Sequence, residues 1–418
     1  MGVFSGGDAV PVVLHSVQTF LRASENWIYP QVTRTRRYEG HVLFERREGA
    51  TAFPLDASRL HIVSNHRGRW WARMLSRVMP LARYLAKRRL RKAVGWLRPA
   101  VLHSHFGPQG WRDLALAQRL GCPHVVSFYG EDLCRLARRE PWATRYAELF
   151  DEADACLVEG PRMAETLADI GCPREKIRVR PHGVDIEQIQ YRARPLNPGG
   201  IVRVLVAGRF VEKKGIPYAV RAVTQVMREL PQVSLTLVGD AAKGDDAGEV
   251  IVREVRMLLE SGDLQSRVRW HRFLPLAEFL NLAATHDLFV QASITAEDGD
   301  AEGGFPVVLL QLAATGMPFV ATRHCDIPEI VVDGVTGYLV DERNVGGLAA
   351  AIRQLVTKAE LRGVFGKAAR ELVETKFSME ATIERLEEVY DELVSGSRGS
   401  YACTMGRRGL NSAVRGSR

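Results

Sequence analysis

The sequence predicts two α/β domains in tandem, each built on a mainly parallel sheet, and three observations carry that prediction. Short apolar stretches alternate with longer helical ones, the pattern of strands buried on both faces beneath covering helices. A stretch with two prolines and two glycines, Arg192–Gly200, interrupts this alternation, which then restarts. The chain has 418 residues, more than one core usually holds, so two units of about 200 residues are expected. The expected boundaries are residues 1–190, a linker over 191–200, a second domain over 201–378 and a last helix over 379–395. Residues 396–418 are rich in Gly, Ser and Arg, contain no acid, and read as a disordered basic tail.

In the first half, Pro11–Ser16 reads as a short buried strand, and Ser24 or Asn26 can cap the helix that follows. Val101–Phe106, His124–Tyr129 and Ala155–Glu159 read as strands, separated by helices that include Trp111–Leu120 and Trp142–Glu152. Lys176–Asp185 looks like a last strand leaving through a tight turn. In the second half the strands are Ile201–Ala207, Ser234–Val238, Arg267–Trp270 and Leu288–Gln291, with Phe319–Ala321 closing the series. Helices are expected over Ile216–Leu230, Val250–Ser261, Ala277–Ala284 and Val307–Thr315, then over Val345–Thr357, Glu360–Thr375 and Met379–Val394.

Composition narrows the class. Hydrophobic residues make up 46% of the chain, enough to build real cores, which excludes a disordered protein. No run approaches the roughly 18 apolar residues of a membrane span. No basic-then-apolar leader is visible, and Gly6 stands where a myristoylation signal wants Ser or Thr. The six cysteines are scattered without a CxxC pair, as expected of reduced thiols in a cytosolic protein. The net charge is +8, yet Arg67–Arg98 alone holds eleven Lys/Arg and no acid, so the rest of the chain is net acidic. Tryptophans and leucines are interleaved with these bases, broken near Pro80. That composition suits an anionic membrane surface at about 1 kcal/mol per base near the lipid. It equally describes a solvated helix face; a nucleic-acid partner is not expected.

Chemistry concentrates in Ala292–Val340. An acidic loop with Glu297, Asp298, Asp300 and Glu302 runs into Gly303-Gly304-Phe305-Pro306 and then into an apolar helix containing Gln311. Glycines at a loop-to-helix junction let a ligand approach the backbone, and a carboxylate beside them accepts from hydroxyls. The same pattern also describes an acidic turn capping a core helix. Upstream, Gly208–Gly215 links a strand to a helix and places Arg209 and Lys214 at the strand's carboxyl end, where two cations suit a diphosphate. Gly239 follows the next strand. In the first half, His105 lies at a strand end and Tyr129-Gly130-Glu131-Asp132 follows another, positions where open parallel sheets bind ligands. Each of these also has a structural reading, Asp132 as a helix cap and His105 as a core histidine. Asp298-Gly299-Asp300 has the look of a metal-binding Asp-x-Asp, or of a calcium loop whose twelfth position is Leu309, which cannot ligate.

With these segments in view, the chain resembles the retaining nucleotide-sugar glycosyltransferases of family 4. Phe128–Asp132, Val179–Asp185, Gly208–Gly215 and Glu302–Gly316 carry the likeness in that order, over roughly residues 10–395. Ser24-Glu25 and Ala296–Asp300 look like the branch that builds colanic acid and similar exopolysaccharides. The resemblance implies a GT-B fold: two Rossmann-like domains facing across a cleft, the acceptor on the first, the donor on the second, and a last helix crossing back. It implies catalytic roles for Arg209, Lys214 and Glu302 in holding the diphosphate and the donor sugar. It implies donor binding by Gly239, Gln311 and the backbone of Gly303, Gly304 and Phe305, and an acceptor side of Glu25, His105, Tyr129 and Asp132. No metal or other cofactor is implied, and the setting is the inner face of the cytoplasmic membrane, with a lipid-linked acceptor. Two departures stand out. Gln311 replaces the second glutamate of the family's pair and lies one residue too far from Glu302, and Tyr129 stands where a histidine is frequent. An epimerase or phosphorylase on the same architecture, or a catalytically weakened scaffold, are the alternative expectations.

Overall fold

The computed structural model describes residues 10–22, 25–63, 94, 96–194, 200–260 and 264–410. Ser24, the middle of the linker (195–199), the final residues 411–418 and nearly all of the Arg67–Arg98 segment lie outside them.

The first sheet has seven strands: β1 (Val12–Phe20), β2 (Glu39–Arg47), β3 (Leu60–Ile62), β4 (Val101–His105), β5 (His124–Ser127), β6 (Ala155–Val158) and β7 (Ile177–Val179). They run parallel in the order β3-β2-β1-β4-β5-β6-β7, with His15 of β1 opposite His103 of β4. The second sheet has six: β8 (Val202–Ala207), β9 (Val233–Val238), β10 (Val268–His271), β11 (Leu288–Gln291), β12 (Phe319–Thr322) and β13 (Gly337–Val340), in the order β10-β9-β8-β11-β12-β13, again all parallel. Strand order reverses between β1 and β4 in one sheet and between β8 and β11 in the other. The crevice beyond the carboxyl ends at such a reversal is where open parallel sheets take ligands.

The covering helices are α1 (Ile28–Thr33), α2 (Gly107–Leu120), α3 (Trp142–Glu152) and α4 (Pro161–Asp169) on the first sheet. On the second they are α5 (Ile216–Glu229), α6 (Asp246–Glu260), α7 (Leu276–Ala283), α8 (Val307–Ala314), α9 (Val345–Thr357) and α10 (Ala359–Lys376). The second domain's apolar core falls into two clusters. One packs α5, α6 and α9 against β8, β9 and β11; the other packs α8 and α10 around Phe289 and Phe319.

Several expectations needed correction. The second sheet does not close at Phe319–Ala321: β13 adds an edge strand, overlooked because only alternate residues of Gly337–Val340 are buried. β2 and β3 were also unanticipated; β2 ends in Glu45-Arg46-Arg47, and its charged end hides an otherwise buried strand. Asn26 does not cap α1, whose N-cap is Trp27 with no side-chain bond. Within the first part of the expected linker, Arg192 N–H donates to Thr315 O at 3.0 Å, and buried Arg194 spans the Thr315 and Gly316 carbonyls.

The last helix, α11 (Met379–Leu410), crosses back to the first domain. It continues into the stretch expected to be a disordered tail, since each residue added to an existing helix gains a hydrogen bond without a new nucleus. Leu386, Val389 and Tyr390 complete a core with Val13, Val101, Val125 and Leu157. Around that core, Glu387 Oε1 accepts from the backbone N–H groups of Arg36 and Arg37 at 2.7 and 2.6 Å, and Tyr38 donates to Asp391. Glu387→Ala should therefore lower stability by about 1.5–3 kcal/mol, the usual loss for hydrogen bonds to a charged group. Urea unfolding checks this: a midpoint matching the parent would mean that the apolar contacts alone hold the helix.

Candidate functional site

The two sheets present their carboxyl ends to each other, and the site grows from the β8 and β11 ends. After β8 the chain passes Gly208 and Arg209 into a short 3-10 turn, Glu212–Lys214, closed by Gly215 in the left-handed region at φ +59°. A Cβ on Gly215 would lie 1.8 Å from Ala292 O, so only glycine lets this turn sit on the β11 end. The turn sends its two lysines in different directions. Lys214 Nζ donates to Glu302 Oε2 at 2.7 Å, while Lys213 Nζ donates to Asp300 Oδ1 and Ala301 O, each at 3.0 Å. Arg209 is exposed and makes no ion pair among the described residues.

Glu302 is almost enclosed, its side chain 6% exposed. Ser293 donates to its Oε1 at 2.7 Å, and Gln291 in turn donates to Ser293 at 2.6 Å. Burial alone would raise its pKa. The charges of Lys214 and Lys213 and the hydrogen bonds outweigh burial and hold the carboxyl below its ordinary range. Lys214 keeps two further N–H donors and Glu302 keeps free lone pairs, so the pair can share a polyhydroxylated anion placed against it.

The rest of the acidic loop is committed to cations. Asp300 faces Lys213, and Asp298 faces Arg135 of the first domain at 3.4 Å. The two carboxylates of Asp298-Gly299-Asp300 thus turn to separate partners, an arrangement unlike a shared metal site.

The first domain meets this loop at Gly130. A Cβ there would lie 2.2 Å from Glu302 O, and one on Gly303, itself at φ +81°, would lie 2.4 Å from Gly130 Cα. Alongside, Gly304 packs on Glu159, which is paired with His182 at 2.9 Å. Asp326 of the second domain accepts from Arg162 N (2.7 Å) and Met163 N (3.2 Å), capping the N-terminus of α4 in the first. Burial pushes the Asp326 carboxyl up to about 6.

On the first-domain side, Asp132 braces the backbone. Its two oxygens accept from Tyr129 N and Gly107 N, each at 2.8 Å, and burial pushes it up to about 7. Tyr129 Oη is bonded to His105 Nδ1 (2.8 Å), and His105 Nε2 to His15 Nδ1 (3.0 Å). Burial, reinforced by nearby cations that include the fully buried Arg180, drives the His15 pKa down to about 3 and lowers that of His105. His15, His103 and His105 lie close enough to ligate one ion. A cation placed there would face the Arg180 guanidinium, and the imidazoles already bond to one another, to Tyr129, to Tyr390 and to Ser127.

The structure therefore gathers Lys214, Glu302, Gly303, Gly304 and the Tyr129-Gly130 turn along one seam. Glu25, His105 and Asp132 line a neighbouring cleft of about 230 Å³. Gln311 lies elsewhere, half-buried in a cleft of about 670 Å³ between Trp27 and Asp185 of the first domain and Asn281 and Val307 of the second. Phe305 is a core side chain, edge-on to Phe377, so only its backbone could meet a ligand. Gly239, at φ +139°, is required by the close approach of Gly208 O. Sequence reasoning missed Ser293, His324 and Glu342, all within a few residues of strand ends, the position that drew attention to His105.

Two parallel-sheet domains whose strand ends face each other, tied by a helix that returns to the first, define the GT-B class of glycosyltransferase. Two family profiles match: "Glycosyltransferase Family 4" over residues 32–188 and "Glycosyl transferases group 1" over residues 187–372. The chain is 33% identical over 290 residues to the putative colanic acid biosynthesis glycosyltransferase WcaL of Escherichia coli K12, covering 68% of each chain. It is 30% identical over 295 residues to the amylovoran biosynthesis glycosyltransferase AmsK of Erwinia amylovora, covering 69% of each. Anabaena HepE, solved with UDP, shares the fold with a TM-score of 0.72 at 16% identity, over 92% of this chain and 100% of that one; it has also been solved with UDP-glucose. The chain belongs to the family 4, group 1 glycosyltransferases.

Proposed function

We propose that this glycosyltransferase moves a sugar from a nucleoside-diphosphate sugar to a hydroxyl acceptor, with retention of configuration, during assembly of a bacterial exopolysaccharide. The observation that carries the reading is the Lys214–Glu302 pair at the strand reversal of the second sheet, with Arg209, exposed and without an ion pair among the described residues, on the same loop. Arg209 and Lys214 hold the diphosphate and stabilise the charge that develops on it as the sugar leaves. Glu302 and the glycine turn hold the sugar's hydroxyls. Retention follows from attack on the face the diphosphate leaves, the departing phosphate taking the acceptor's proton. The names of WcaL and AmsK support an exopolysaccharide product, and the UDP and UDP-glucose complexes of HepE support a nucleotide-sugar donor.

A thermal-shift screen against nucleoside diphosphates and nucleotide sugars tests the donor. A ligand at 100 times its dissociation constant adds about 2.7 kcal/mol to the folded state. No shift with any of them, together with no transfer or hydrolysis, would overturn the reading.

We assign Gln311 to the donor's ribose side, because it faces open cleft and has a carbonyl acceptor and two N–H donors. Gln311→Ala should raise the donor KM several-fold, and Gln311→Glu should leave it equal or lower, with both chains melting near the parent. A Gln311→Glu chain that melts far below the parent, beside an alanine variant of normal kinetics, would make the position structural.

The acceptor is proposed to be lipid-linked, with Arg67–Arg98 resting on anionic lipid. Vesicle flotation should recover the protein with anionic but not neutral vesicles, and less at high salt; equal recovery on both would remove this assignment.

A further inference from the structure

The Glu302 carboxylate is only as well placed as its backbone, and that backbone precedes two glycines, one of them at positive φ. One side chain holds it. The Glu302 N–H donates to His324 Nε2 at 3.1 Å. A backbone N–H can only donate, so Nε2 is unprotonated and the ring hydrogen sits on Nδ1. His324 Nδ1–H then donates to Glu342 Oε1 at 2.6 Å. The other oxygen of Glu342 accepts from Thr295 N at 2.9 Å, and Arg343 closes the ring of contacts on Thr295 O at 2.5 Å. The His324 side chain is 1% exposed, and Cys325 beside it takes φ +47°, a conformation that a non-glycine residue holds only where its surroundings impose it. Thr295 follows β11, His324 follows β12 and Glu342 follows β13, so one imidazole ties three adjacent strand ends to the glutamate loop.

We propose that His324 is a positioning residue for Glu302: a neutral imidazole held in a single tautomer by Glu342, fixing the loop so that the carboxylate meets Lys214, Ser293 and the donor sugar together. The proposal rests on Glu302 being the donor-sugar ligand, and it adds a residue pair that the diphosphate itself does not need. The Glu342 carboxylate is suited to this because it must accept twice, once from His324 and once from Thr295. Burial raises its pKa, but the Thr295 N–H, His324 and Arg343 outweigh burial and keep it ionised. An amide in its place has one acceptor oxygen and one NH2 group. Glu342→Gln therefore either leaves the Thr295 N–H facing a donor, or turns its NH2 on His324 and drives the ring hydrogen to Nε2, against the Glu302 N–H.

The experiment compares UDP with UDP-glucose on the full chain and on His324→Leu, His324→Gln and Glu342→Gln, with circular dichroism and melting to confirm folding. UDP affinity should stay within about threefold in all of them, since the diphosphate meets Arg209 and Lys214. UDP-glucose affinity should fall more than tenfold in His324→Leu and Glu342→Gln. His324→Gln, whose carbonyl can still accept from Glu302 N–H, should recover most of that loss, which a merely space-filling role for the ring would not produce. Long-range proton–nitrogen correlation on histidine-labelled parent protein should show His324 with its hydrogen on Nδ1, and Glu342→Gln should change that signature. Should His324→Leu not fold, Glu342→Gln carries the comparison. A parent that binds neither UDP nor UDP-glucose overturns a UDP-sugar donor and this proposal with it, leaving the wider donor reading to the screen of nucleoside diphosphates. A parent that binds both, beside variants that do the same, overturns the proposal alone, as does a His324 ring with its hydrogen on Nε2.

Discussion

Lys214→Met is expected to remove about 3 kcal/mol of stability as well as donor use, whereas Arg209→Ala should remove donor use alone. The difference lies in their surroundings. Lys214 is 15% exposed and bonded to a carboxylate that is 6% exposed, so its loss strands a buried charge; breaking such a pair costs about 3–5 kcal/mol. The lower end applies because Lys213 and Ser293 remain near Glu302. Arg209 is exposed and has no ion-pair partner among the described residues, so under the proposed clamp its removal deprives only the diphosphate, a loss of about 1.5–3 kcal/mol in binding. The Lys214 effect also depends on pH. The Glu302 carboxyl is held below its ordinary 4.5, so the pair's stabilisation is complete above that pH and fades as pH falls through the lowered value. Urea unfolding of parent, Lys214→Met and the Lys214→Met/Glu302→Gln double variant is the check. The double variant should regain most of the lost stability without regaining activity. Equal midpoints for parent and Lys214→Met would mean that the pair contributes nothing to the fold.

Gly130→Ala is expected to cut kcat/KM by about 100-fold while leaving both domain cores folded. The added methyl would sit 2.2 Å from Glu302 O, so the domains must part where the glutamate loop meets the Tyr129 turn. A displacement of about 1 Å at a reacting centre is worth about that factor in rate. Solution scattering should show a larger radius of gyration, and near-native melting should rule out general unfolding. A Gly130→Ala protein with the parent's scattering and turnover would mean that the seam yields at no cost.

The sequence made the architecture legible because both halves obey one rule, apolar strand then amphipathic helix, and because Gly208–Gly215 marks a strand end and Glu302-Gly303-Gly304 the loop into the next helix. It made Lys214 and Glu302 visible as candidates, but not as partners, since their bond joins segments 88 residues apart. Charge patterning misled in the acidic loop: Asp298 and Asp300 looked available, and each is turned to its own cation. β2 and β13 escaped because polar or half-exposed positions dilute their apolar pattern, although the sheet supplies their burial. His324 escaped because a lone histidine carries no period or spacing. Only the loop folded over it gives the ring its task.

The return of α11 also fixes an order of events during synthesis. The first sheet is nearly all translated by Val179, yet Leu386, Val389 and Tyr390 belong to its core. About 200 residues separate the two, which at 5–20 residues per second is about 10–40 s on the ribosome. Through that interval the emerging first domain keeps the Val13–Val101–Val125 face uncovered, and the second domain can finish folding before the first. A ribosome stalled anywhere before Leu386 thus holds a chain with an open apolar surface, a ready substrate for chaperones that bind such surfaces. The core of the first domain is thus completed only after the second domain has been made, when α11 returns to it.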